Sequence, residues 1–88
     1  MNEVEQVIAA LILDAAENSS EKKLKTTKTI LREQTVGAYN LDNFPGAFEV
    51  SLDFLVEQKC AKLHQYSGIE DYVSVAFPTD IGRSFFQL

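Results

Sequence analysis

The sequence predicts one small α+β domain, mainly α-helical with a small β-hairpin toward its C-terminus. Apolar residues recur at spacings of three and four through successive stretches as far as Gln58, and beyond Lys59 the spacing changes to two. The length of 88 residues sets the scale, since a chain this short buries only ~60–65% of its unfolded surface and fits a single core. With 45% hydrophobic residues it carries enough apolar side chain to offset the entropy of ordering, so one folded domain is expected over 1–88.

The first helix is expected over residues 3–17. Val4, Val7, Ile8, Leu11 and Ala15 fall on one face, and Ala9, Ile12, Leu13 and Ala16 widen that stripe around the cylinder. More apolar surface results than one small core should cover, so Ala9, Ile12, Leu13 and Ala16 are expected as the contact of a homodimer. Asn18, Ser19 and Ser20 end the pattern with side chains that compete for backbone hydrogen bonds.

A short extended run at Lys23 to Lys25 leads to a second helix over 26–36, with Thr26 as its cap and Leu24, Ile30 and Leu31 as apolar contacts. Gly37 is the expected stop. The turn-rich AYNLDNFPG connects it to a third helix over 45–58, which Pro45 opens in its first turn. Phe48, Leu52, Leu55 and Val56 mark the buried side of that helix. A hairpin over 60–77 follows, its second strand alternating through Val73, Val75 and Phe77, and Thr79 caps a closing turn over 79–87 with Ile81, Phe85 and Phe86 on its apolar side. Cys60, at the junction of helix and strand, reads as a small buried hydrophobe.

Helix, basic helix, turn, helix, hairpin and closing turn is an order that resembles the winged helix-turn-helix family, with a wing of two or three strands. The likeness is carried by VSLDFLVEQKCAKL, similar to the family's third helix running into its second strand, and by FPTDIGRSFF, similar to the closing segment of many bacterial winged-helix regulators. The resemblance implies DNA binding, with the third helix in the major groove and the wing on the backbone or minor groove. It also implies that the start of helix two approaches the duplex.

The charges point two ways. The net charge of -5 is a poor supply for neutralising phosphates. Glu49, Asp53 and Glu57 recur every four residues along the side of helix three that would face DNA, and no Lys or Arg lies between Pro45 and Gln58. Glu70 and Asp71 stand at the expected wing tip. These five acids are the candidate contact for a protein partner with a basic surface. Lys22, Lys23, Lys25, Lys28 and Arg32, with Lys59 and Lys62 near the first wing strand, are the alternative contact, for duplex DNA. Both readings stay open: a non-enzymatic regulator or adaptor that binds another protein, or a dimeric DNA-binding transcriptional regulator.

Catalytic chemistry finds little to build on. The chain has a single His, His64, a single Cys, and scattered glycines that make no phosphate-cradling loop, so no catalytic residue, metal, cofactor or small-molecule substrate is expected. The apolar runs are too short to span a bilayer and the N-terminus is acidic, so a soluble, cytoplasmic protein with no membrane partner is expected.

Overall fold

The computed structural model describes residues 1–64 and 71–77. Helix α1, Glu3–Glu17, begins at a reciprocal cap: the Asn2 side chain accepts from the Glu5 amide at 2.8 Å, and the Asn2 amide donates to Glu5 Oε1 at 2.9 Å. After a single turn at Ser20–Lys22, strand β1 covers Lys23–Thr27. The extended run is longer than its expected end at Lys25, because β1 pairs with β3 through to Thr27 opposite Tyr72. Thr26 is therefore held in the ladder, and Thr27 caps the next helix by accepting from the Ile30 amide.

Helix α2, Lys28–Arg32, widens into a π-helical segment at Glu33–Gly37, where the Ala38 amide donates to the Glu33 carbonyl five residues back. Thr35 is buried there and donates its hydroxyl to the Leu31 carbonyl at 2.9 Å. Gly37 does not stop the helix. Ala38 is still helical, and the reversal comes at Asn40, with φ of 56°, where the Leu41 amide donates to the Val36 carbonyl and the Asn40 amide to that of Gly37. Asparagine tolerates this left-handed conformation better than most residues with a side chain.

Helix α3, Ala47–Glu57, starts two residues later than expected because Gly46, at φ of 83°, forms its N-cap and places Pro45 before the helix. Its far end is a complete Schellman turn: the Lys59 amide donates to the Val56 carbonyl and the Cys60 amide to the Leu55 carbonyl, with Lys59 at φ of 62°. Cys60 and Leu55, the pair that closes such a turn, are both buried. That geometry delivers the chain into β2, Ala61–His64, and the hairpin partner β3 covers Tyr72–Ala76.

The three strands form an antiparallel sheet in the order β1, β3, β2. Register fixes its faces. Leu24, Val75 and Ala61 share one row and Thr26, Val73 and Leu63 the next, on the side that packs on the helices. The core joins this side to Ile8, Ile12, Leu31, Val36, Phe48, Leu52 and Leu55. Phe48, Leu52, Leu55 and Cys60 are buried as the sequence predicts.

Helix α1 turns inward three of the four residues expected as a dimer contact. Ile12 and Ala16 are 0% exposed and Ala9 is 5%, so these three are taken up by the monomer core, while Leu13 is only partly buried against it. Val7, placed inward by the sequence reading, is 45% exposed. Apolar residues run almost all round this helix, so spacing establishes the helix but not which way it is turned. Its phase follows from wedging α1 against α3, β1, β3 and the π-helical segment, where small Ala9 and Ala16 permit close approach. The expected closing turn over 79–87 and the hairpin tip lie outside the described residues.

Candidate interaction surfaces

The exposed side of α3 presents Glu49, Asp53 and Glu57, all exposed and one helical turn apart. The opposite side anchors the helix through Ser51, whose hydroxyl lies 2.7 Å from the Ala47 carbonyl and 2.8 Å from the Glu5 carbonyl of α1, sharing one proton between them. The acidic face is thus carried on a helix seated directly on α1. No basic residue occurs in the last turn of either α1 or α3. Each instead ends on a glutamate, Glu17 and Glu57, where the helix macrodipole is negative and a cation would be favoured.

The lysines of the long basic run do not form one surface. Lys28 Nζ donates to Glu49 Oε2 at 3.0 Å, joining the start of α2 to the first acid of α3. Glu49 is about half exposed, so the pair is worth ~0–1 kcal/mol, yet it holds Lys28 against a carboxylate rather than presenting it to a phosphate. Arg32 stands exposed one turn further along α2. The ammonium of Lys22 lies 5.6 Å from the centre of the Phe77 ring, a cation–π contact.

Sheet register brings together what the sequence keeps apart. Lys25 of β1 and Lys62 of β2 both stand opposite Ser74 of β3, so the three side chains form one row on the outer face. Lys23 occupies the same face of β1 two positions earlier, and Tyr72, with Thr27 and His64 opposite it, forms the adjoining row. His64 Nε2 lies 2.9 Å from Ser74 Oγ, a hydrogen bond across the diagonal of the ladder. Lys59 and Lys62 also line a common depression of about 370 Å³ with Val56, Ala61 and Leu63. Sequence reasoning missed this convergence because it needs β1, a strand paired across more than forty residues of chain.

Asp71 is half-buried, and its backbone carbonyl accepts from the Lys28 amide at 3.1 Å, which ties the start of β3 to the start of α2. Glu70 lies outside the described residues. Among the described residues, no three His, Cys, Asp or Glu side chains converge as metal ligands, and no helix is long and apolar enough to cross a membrane.

An apolar groove of about 490 Å³ runs along the junction of α1 and α3. It is open to solvent and lined by Met1, Gln6, Ala9, Ala10, Leu13, Phe54 and Leu55. Among the described residues, Gln6 is its only polar lining side chain.

Comparison with known proteins found no matching family model, no matching curated protein and no matching solved structure. The described residues define the class, an α+β domain of three helices and a three-stranded antiparallel sheet.

Proposed function

We propose that this chain is a winged-helix domain that acts without catalysis, as a regulator or adaptor that binds a protein partner through the acidic face of α3. The order α1, β1, α2, α3, β2, β3, with the hairpin strands closing on β1, supports the winged-helix assignment. The observation that carries the functional reading is the row Glu49, Asp53 and Glu57, exposed on the helix that reads DNA in that family. Lys28, the cation nearest that row, is engaged by Glu49 itself. A polyanion is repelled by such a face, whereas a basic protein surface gains association rate and specificity from it.

A second observation favours duplex DNA on a different surface, the outer sheet face where Lys25 and Lys62 flank Ser74. One titration separates the two. Random-sequence duplex added at low salt should bind a DNA-binding domain of this size with about 10⁻⁴ to 10⁻⁶ M affinity and a steep salt slope. The protein-binding reading expects no such binding, or weak binding that charge reversal at Lys25 and Lys62 abolishes while reversal at Glu49 and Asp53 leaves it within about threefold. Duplex binding that rises by orders of magnitude in Glu49→Lys/Asp53→Lys would place α3 on the DNA and overturn the reading.

A further inference from the structure

The groove between α1 and α3 does not have the composition of a small-molecule site. Such sites place several converging polar groups in an enclosed apolar cavity, whereas this one is open and, among the described residues, offers only the Gln6 side chain. Its lining is that of a seat for another apolar side-chain stripe, with Ala9 and Ala10 keeping the floor low and Leu13, Phe54 and Leu55 supplying the walls. Ala10 is exposed, and Leu13 and Phe54 are only partly buried, so the groove is open to solvent among the described residues.

The charges around it select the occupant. Glu17 lies one turn beyond Leu13, Asp14 one turn beyond Ala10, Glu3 one turn before Gln6, and Glu57 one turn beyond Phe54. All four are exposed, and neither α1 nor α3 contains a Lys or Arg. A second copy of this chain would set these acids against their own kind, which argues against self-association here. A helix with an apolar stripe edged by Lys and Arg would bury its stripe in the groove and place its cations among the acids.

We propose that the α1–α3 groove is the docking site for a basic amphipathic helix of the protein partner, with Ala10, Leu13 and Phe54 receiving its apolar stripe and Glu17 and Glu57 its cations. This rests on the acidic-face reading and narrows it, since that reading requires only cations whereas the groove requires an ordered apolar stripe as well. The placement of Glu17 and Glu57 supports it independently. Both sit where their own helix disfavours negative charge, as expected of residues kept for a partner at some cost to the fold.

The test uses a fluorescent peptide of about 16 residues, some four helical turns, in which Leu and Lys segregate to opposite faces. Its controls are the same composition scrambled and a Leu/Glu counterpart. The segregated Leu/Lys peptide should bind at least ~10-fold more tightly than either control and lose at least ~10-fold in affinity to Ala10→Tyr, which fills the groove from an exposed position, and to Glu17→Lys/Glu57→Lys. Circular dichroism of each variant checks that the fold is retained. Equal binding of segregated and scrambled Leu/Lys peptides, indifferent to Ala10→Tyr, would overturn the groove while leaving the acidic-face reading standing. Absence of binding by any cationic peptide would overturn both. Binding of the Leu/Glu peptide at comparable strength, or concentration-dependent dimerisation of the protein that Ala10→Tyr abolishes, would show a different occupant and overturn the proposal.

Discussion

Lys59 holds a left-handed conformation, φ of 62°, at the one position of its Schellman turn where a Cβ is disfavoured. Lys59→Gly should therefore raise stability by ~1 kcal/mol, read as an increase in the midpoint of urea unfolding at unchanged slope. Asn2 works in the opposite sense. Its side chain satisfies the Glu5 amide, and Asn2→Ala should cost ~1 kcal/mol in the same assay. Glu57→Lys joins stability to function: a cation in the last turn of α3 should add ~0.3–1 kcal/mol to the domain while weakening any basic partner. The Asn2–Glu5 cap has a local signal, an Asn followed three residues later by Glu, that the sequence reading did not use. The left-handed turns at Asn40 and Lys59 were less legible, because side-chain-bearing residues stand where glycine is the usual signal, and Gly37 drew the helix stop to itself although it carries none.

At the scale of elements, legibility followed how one-sided each pattern was. Helix α3 confines its charges to one narrow arc and is apolar over most of the remainder, so Glu49, Asp53 and Glu57 were placed outward and Phe48, Leu52 and Leu55, opposite them, inward from sequence alone. Leu55 is 1% exposed at the centre of the core, and Leu55→Ala should cost ~2–5 kcal/mol, a large part of the ~5 kcal/mol expected of so small a domain. Unchanged thermal stability in that variant would contradict the position of α3. Helix α1 gave its bounds correctly and its phase wrongly, since an apolar residue lies at nearly every angle and only the neighbouring elements choose among them. With Ala9, Ile12 and Ala16 inside the monomer core, sedimentation at micromolar concentration should show no dimer held through them. The strand β1 was seen as a short extended run, but its place at the sheet edge beside β3 depends on non-local pairing that local spacing does not encode.

Across the whole molecule the charges separate more sharply than along the chain. The acids of α3 occupy one exposed helix side, the lysines of β1 and β2 meet on the outer sheet face, and Lys28 and Glu49 join α2 to the first acid of α3. The acidic half of this arrangement could be read from the sequence because i, i+4 spacing is local. The basic half could not, since Lys25 and Lys62 become neighbours only through Ser74 on the strand between them. The groove beside α3 was also out of reach of sequence, as it exists only where α1 and α3 meet.

The central claim is that the exposed side of α3 is a surface for cationic protein and not for nucleic acid. Amide chemical-shift mapping during titration with a lysine-rich peptide tests it most directly. Perturbations concentrated on residues 49–57 and adjoining α1, weakening steeply as salt is raised, are the expected result. Perturbations confined to β1 and β2, or an α3 that responds to duplex DNA and not to the peptide, would contradict it.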